Sequence, residues 1–362
     1  MSDKGISKKD MNLINKWYKE NKGTYERLST KIESVIKEIL EAEDIKYSSI
    51  SSRTKELDSF DKKASQEKYS DPINQIKDLS GIRITCYVES DVEKISKVIE
   101  REFKIDFDHY NDKSGNKFGY RSVHYVASLN EVRSNITEFR ILANLEFEIQ
   151  IRTILQHAWA EIEHDRGYKF HDVLPEYSDI KNRFAVIAGI LKLADAEFDS
   201  IVSDIDKYAK KVGQSTIDGK LDIQIDSVSL KEYLNNKFNQ EVNKGVLLPT
   251  FGRNDSAVSM IISELNNFGI NQLSQLDQII PLDFTHRAAK ELSNSTFLGL
   301  LRTLMMINDI DIYFSKAWNQ NWSGMDVDGL STLKNYGVPI NEYMKKYKIS
   351  LFDDHGIVER NE

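Results

Sequence analysis

Between Arg53 and Arg152 the chain carries four groups of polar residues whose types and spacing could do chemistry. The first is Arg53-Thr54-Lys55, followed by Ser59 and Lys63, cations and hydroxyls suited to a polyphosphate. The second is Asp78 with Arg83. The third is a loop bearing Lys113 and Lys117 that ends in Gly119-Tyr120-Arg121-Ser122, with His124 just beyond. The fourth is Glu148 with Gln150 and Arg152. Two carboxylates at the ends of neighbouring strands, Asp78 and Glu148, are what Mg²⁺ needs when phosphate oxygens and water fill most of its coordination shell. Such an ion would neutralise a triphosphate that the cations cradle, and Tyr120 offers a flat face for a purine. The inventory suits group transfer between two nucleotides, a reaction that needs positioning and charge and no covalent nucleophile.

These residues must be held by regular elements. In LEFEIQIRTILQHAWAEIEHD, Leu145 to Asp165, Phe147, Ile149 and Ile151 alternate with Glu148, Gln150 and Arg152, the pattern of a strand with one packed and one polar face. From Thr153 the period becomes helical, and His157, Glu161 and His164 come round to one side. That spacing would suit zinc, but one helix seldom completes a site, and histidines that orient neighbours are the simpler reading. Trp159 reads as core.

The run GIRITCYV, Gly81 to Val88, reads as a strand buried on both faces. Helices are expected over Ser7 to Glu43 and over Arg53 to Glu67, the latter placing Arg53, Lys55, Ser59 and Lys63 on one cationic face. Asp91 to Arg101 is a further helix, Phe103 to Tyr110 and Arg121 to Leu129 are strands, and Asn111 to Tyr120 is a loop. Strands mixed with helices over one domain length indicate an α/β (α+β) core with a mixed sheet. Lys181 to Val212 is a long amphipathic helix, and the small and polar residues of Gly213 to Lys220 suggest a linker. Beyond it, helices around Leu230 to Phe238, Ala257 to Phe268, Ala288 to Ile307 and Leu330 to Tyr347 make a mostly helical second domain with little strand. The expected domains are therefore 1–212 and 213–362.

The length of 362 residues suits two such domains, and 40% apolar with 29% charged residues is the composition of a globular protein. A formal charge of −8 argues against coating nucleic acid over the whole surface, while leaving room for a local basic site. The single cysteine, Cys86, excludes an internal disulfide and cysteine-built zinc. No apolar run has the length of a membrane span, and the start MSDKGISKKDMNL lacks the apolar core of a signal peptide, so a cytoplasmic protein without membrane partners is expected.

The blocks RTKELDSFDKK, DLSGIRI, GYRSVH and EIQIRT followed by QHAWAEIEHD stand in order from Arg53 to Asp165. In these blocks the chain resembles the synthetase domain of the RelA/SpoT family of (p)ppGpp synthetases, including the small alarmone synthetases. The resemblance implies a nucleotidyltransferase-like sheet flanked by helices. It also implies transfer of the β,γ-pyrophosphoryl group of ATP to the ribose 3′-hydroxyl of GDP or GTP. On the matched motifs Asp78 and Glu148 would hold Mg²⁺, with Glu148 also helping to deprotonate the hydroxyl. Arg53, Lys55, Lys63 and Arg83 would bind ATP. Tyr120 would stack on the acceptor base, Lys113, Lys117 and Arg121 would face acceptor phosphates, and His124 would orient the acceptor or contact phosphate. Gln150 and Arg152 would support them.

The loop Gly115-Asn116-Lys117-Phe118-Gly119 departs from the family's usual approach to GYRS and leaves the acceptor open. Toxic members of the family use adenine nucleotides or the 3′ end of tRNA, and some carry a restraining segment, a role open to Gly213 to Glu362. Small alarmone synthetases often assemble through helices flanking the sheet, so a homo-oligomer is open as well. The family's hydrolase function resides in a separate histidine–aspartate domain, so no hydrolase activity is expected. A non-catalytic nucleotide-binding module is a further reading, and the presence of both carboxylates counts against it.

Overall fold

The computed structural model describes residues 8–107, 120, 122–163, 178–252, 256–284, 295–320, 322–353 and 356–359. The chain divides into two compact units, Met1–Val202 and Ser203–Glu362.

The first unit runs α1 (Lys8–Ala42), β1 (Ser49–Thr54), α2 (Leu57–Ala64), a single turn α3 (Pro72–Gln75), β2 (Ser80–Cys86), α4 (Glu89–Glu102) and β3 (Phe103–Ile105). It continues with β4 (Val123–Leu129), a single turn α5 (Glu131–Ser134), β5 (Glu146–Thr153), α6 (Ile154–Ile162) and the start of α7 (Ser178–Ile217). The strands form one mixed sheet in the order β1-β2-β5-β4-β3, in which β2 and β5 are parallel and the other neighbours antiparallel.

Helix α1 is built by period. Tyr18, Tyr25, Leu28, Ile32, Ile36 and Leu40 fall on one stripe and are all buried, packing on β1 and β2. Ser29 lies in that stripe, and its hydroxyl shares hydrogen bonds with Ser80 at 2.6 Å and Thr54 at 3.2 Å, so the one polar residue there is satisfied. The inward residues of the central strands, Ile82, Ile84, Phe147, Ile149, Ile151 and Tyr125, join α1 and the buried stripe Val92, Ile95, Val98 and Ile99 of α4 in one core. Each fully buried Ile or Leu there contributes about 1.5–3 kcal/mol.

Two expectations for this unit change. The segment expected as one helix from Arg53 begins as strand, with Arg53 paired to Gly81, and becomes helix only at Leu57. β2 is buried on both faces only at its end, where Thr85 and Cys86 are both inside: earlier in the strand Gly81 and Arg83 are half-buried while Ile82 and Ile84 are inside. Gly81, Thr85 and Cys86 make the run look uniformly apolar in sequence, yet its odd-numbered positions turn to the polar face. Of the strand expected over Phe103 to Tyr110, Phe103–Ile105 pairs with β4, and residues 108–110 lie outside the described residues.

In the second unit the described helices include Ser227–Lys237, Ser256–Phe268, Leu273–Gln278, Phe297–Asn308, Val327–Asn335 and Ile340–Tyr347. Leu230, Tyr233, Leu234, Leu265, Leu273, Leu300 and Leu304 share its core. The unit holds more strand than expected: Gly324–Asp326, Ser350–Asp353 and Gly356–Glu359 form a three-stranded sheet, and Leu247–Leu248 pairs with Ser295–Thr296. The helix expected over Leu330 to Tyr347 is two helices. Gly337, at φ +74°, ends the first in a left-handed turn in which its N–H and that of Val338 bond back to Lys334 and Leu333, and Pro339 precedes the second. The segment Gly213 to Lys220, expected as linker, stays helical through Ile217 and turns at Gly219, whose φ is +72°. Small polar residues tolerate a helix, and only the positive-φ glycine stops it. The helix expected over Ala288 to Ile307 is seen from Phe297, capped by the Thr296 hydroxyl, while residues 285–294 lie outside the described residues. Among the described residues no helix is long and apolar enough to cross a membrane.

Candidate active site

Residues paired across a sheet point to the same face, and the register gathers one polar face from four strands. Arg53 and Glu148 both pair with Gly81, and Gln150 pairs with both Arg83 and His124. Arg53, Arg83, His124, Glu148, Gln150 and Arg152 therefore share the side opposite the apolar core. The Arg53 side chain lies across Gly81, where a Cβ would meet its Cγ at 3.7 Å.

Asp78 stands at the entry of β2. Its Oδ2 accepts Lys55 Nζ from the end of β1 at 2.8 Å and Lys63 Nζ from α2 at 2.9 Å. Burial pushes this carboxyl up, but the two lysines outweigh it and hold Asp78 below the ordinary carboxylate range. Its Oδ1 is buried and has no hydrogen-bond partner among the described residues. Lys63, which burial would lower, is instead raised by Asp78.

Each oxygen of Glu148 has one side-chain partner. His124 Nδ1 lies 2.9 Å from its Oε1, and Gln150 Nε2 donates to its Oε2 at 2.9 Å. Burial raises this carboxyl and the charge of Asp78 also opposes ionisation, but His124 and Gln150 together outweigh them and hold Glu148 below the ordinary carboxylate range. The other imidazole nitrogen, Nε2, is 2.7 Å from the Ser122 hydroxyl. Nδ1 thus faces the carboxylate and Nε2 the Ser122 hydroxyl, so the ring is held between the two.

Arg152 is nearly buried, with its side chain 4% exposed, and burial together with Arg83 brings its pKa down to about 10. Glu161 on α6 is 3.2 Å from Arg83 Nη1 and 3.4 Å from Arg152 Nη2. His157 Nδ1 is 3.7 Å from the same carboxylate, too far for a hydrogen bond, and burial and Arg152 hold its ring below the ordinary imidazole value. Of the histidine group on α6, His164 lies outside the described residues, and among the described residues no three His, Cys, Asp or Glu side chains converge to hold a metal.

Tyr120 occupies a different setting from the open platform expected of it. It is 5% exposed and packs with Trp159 of α6 and Ala188 of α7. Its hydroxyl donates to Asp195, as does that of Thr153 at 2.7 Å, and burial and Asp195 raise the phenol pKa. Thr153 also caps α6 in a reciprocal box with Gln156. Lys113, Lys117 and Arg121 lie outside the described residues.

The structure thus brings together Arg53, Lys55, Lys63, Asp78, Arg83, His124, Glu148, Gln150 and Arg152. Sequence reasoning missed Glu161 as the partner of two arginines and Ser122 as the partner of His124. The first sat among histidines and read as part of their group. The second was visible only as part of the Tyr120 loop.

Residues 52–172 match the model of the region found in RelA / SpoT proteins. These residues are a RelA/SpoT region. The chain is 27% identical over 133 residues to GTP pyrophosphokinase YwaC of Bacillus subtilis (strain 168), covering 36% of this chain and 60% of that protein. It is 27% identical over 161 residues to GTP pyrophosphokinase YjbM of the same organism, covering 43% of this chain and 72% of the relative. Among solved structures, the small alarmone synthetase 1 from Bacillus subtilis aligns at 23% identity and a TM-score of 0.44, over 53% of this chain and 99% of that one. The four polar groups, Arg53 to Arg152, all fall within residues 52–172, while residues 173–362 lie beyond the match.

Proposed function

We propose that the RelA/SpoT region uses Mg²⁺ to transfer the pyrophosphoryl group of ATP to the 3′-hydroxyl of GDP or GTP, making (p)ppGpp. The observation that carries this reading is Asp78 and Glu148 facing one cationic sheet surface, with a buried Asp78 oxygen left without a partner among the described residues. Two relatives named as GTP pyrophosphokinases support it.

The donor set fits a hard divalent ion. Asp78 and Glu148 supply carboxylate oxygens, close enough for each charge to act on the other, and phosphate would supply the rest. Bound there, the ion supplies charge neutralisation on the polyphosphate. Lys55 and Lys63, now on Asp78, are placed to turn to phosphate oxygens, and Arg53 and Arg83 extend the cationic surface. His124 and Gln150 aim the Glu148 carboxylate, which stays ionised and is placed to accept the proton of the acceptor hydroxyl. Arg152 is assigned a supporting role beside Arg83, with which it shares Glu161. Lys113, Lys117 and Arg121 are assigned to acceptor phosphates, and Tyr120 to the acceptor base once it parts from α7. Residues 213–362 form a separate regulatory domain in this reading.

The test is to incubate the protein with Mg²⁺ and γ-labelled ATP, offering GDP, GTP, adenine nucleotides or deacylated tRNA. Label on GDP or GTP is the expected result. Label on tRNA or on an adenine nucleotide would replace the acceptor, and nucleotide binding without any transfer would leave a binding module.

A further inference from the structure

Glu161 has no part in the reaction proposed above, yet it is the carboxylate around which the arginines are arranged. Arg83 reaches it from β2 and Arg152 from β5, at 3.2 Å and 3.4 Å, and both meet the same oxygen, Oε1. Arg53 lies close enough on β1 that its charge acts on Arg152. Two guanidiniums thus share one carboxylate oxygen, with the charge of a third arginine nearby, and the Nε of Arg152 is buried without a partner among the described residues. Positive charge is in excess there, as it would be at a seat built for an anion with more charge than one carboxylate carries. Glu161 itself is 56% exposed, so its head can leave the arginines for water without a large desolvation cost.

We propose that Glu161 is a resident stand-in for phosphate, which holds Arg83 and Arg152 together in the nucleotide-free protein and is displaced when a polyphosphate enters. Guanidinium grips carboxylate and phosphate oxygens with the same planar fork, so one can replace the other without rebuilding the arginines. Without an anion between them the two guanidiniums repel, and the seat would splay. Glu161 is therefore a positioning residue in the empty protein and a competitor during binding. This inference rests on the ATP reading and names the group that a triphosphate must displace.

The experiment is calorimetric titration of the full chain, wild type and Glu161→Gln, with inorganic tripolyphosphate and with a non-hydrolysable ATP analogue. Removing the competing charge is expected to lower the dissociation constant roughly three- to tenfold. The nucleotide-free Tm of the variant should fall, and saturating tripolyphosphate should restore it to the wild-type liganded value. Glu161→Asp, which keeps the charge, should bind close to wild type, and Glu161→Ala should tighten binding like Glu161→Gln. A merely structural role moves affinity the other way: both neutral variants would then bind more weakly. Equal or weaker binding by both neutral variants, with wild type binding normally, overturns the role of Glu161 and leaves the ATP reading standing. Failure of the wild-type protein to bind either probe overturns both.

Discussion

Asp78 and Glu148 differ in how they are held, and that difference sets what their substitution should do. Asp78 is the anion between two lysines, so Asp78→Asn removes a metal oxygen and also leaves Lys55 and Lys63 facing each other without their counter-ion. Glu148→Gln keeps the shape but loses the charge that orients His124. Both variants should lower label transfer on the order of 100-fold or more, with unchanged circular dichroism, because each removes charge aimed at the reacting phosphate or hydroxyl. Transfer that survives either change would remove the catalytic reading. A second residue-scale expectation concerns Glu102, whose carboxyl is held below its ordinary value of 4.5, first by Arg133 and then by Arg101. A group depressed in the folded state stabilises it fully above the unfolded pKa and loses that contribution as pH falls through the folded one. The urea midpoint should therefore decline below about pH 4.5, and less steeply in Glu102→Gln; parallel declines would refute the assignment.

Elements carry the next level, and α7 is the informative one. Through Asp195 it ties together Tyr120, ahead of β4, and Thr153, the cap of α6. Asp195 is 1% exposed, so Asp195→Ala leaves two buried hydroxyls without their acceptor, at a cost of about 1–3 kcal/mol. Urea unfolding checks that magnitude. If Tyr120 serves the acceptor base, the same substitution frees it from α7. The KM for the acceptor should then fall while the KM for ATP holds. A fall in both would place Tyr120 elsewhere in the reaction.

At the scale of the whole molecule the two units have separate cores that share no residue. In the second, Glu264 is fully buried and accepts two bonds from Arg302, at 2.6 Å and 2.9 Å, with the Tyr313 hydroxyl at 3.3 Å. Glu264→Ala strands a buried guanidinium and should destabilise that unit by about 3–5 kcal/mol. In the first, Cys86 is the chain's single cysteine, buried, with burial pushing its thiol up to about 12. It should resist thiol reagents until its unit opens. Glu264→Ala should leave the rate of Cys86 labelling unchanged, whereas faster labelling would mean that the two cores unfold together.

Much of this was legible in order along the chain. The alternation of Glu146–Thr153 placed Glu148, Gln150 and Arg152 on one face, and the stripe of α1 foretold its buried side, because strand and helix periods are properties of neighbouring residues. The motif blocks likewise named the cations and carboxylates that the sheet face brings together. Tertiary structure decided the rest. Arg53 reads as helical because its helix-forming neighbours dominate the local pattern, yet pairing with Gly81 draws it into a strand. Tyr120 reads as an open platform, and only the packing of α6 and α7 shows it buried on Asp195. Glu161 reads as a partner of histidines one turn away, while its oxygen meets Arg83 of β2 as well as the nearer Arg152 of β5, and the contact with Arg83 is the one no spacing foretells. In each case the deciding contact joins residues far apart in the chain, and such contacts follow from how the elements pack, which no local spacing encodes.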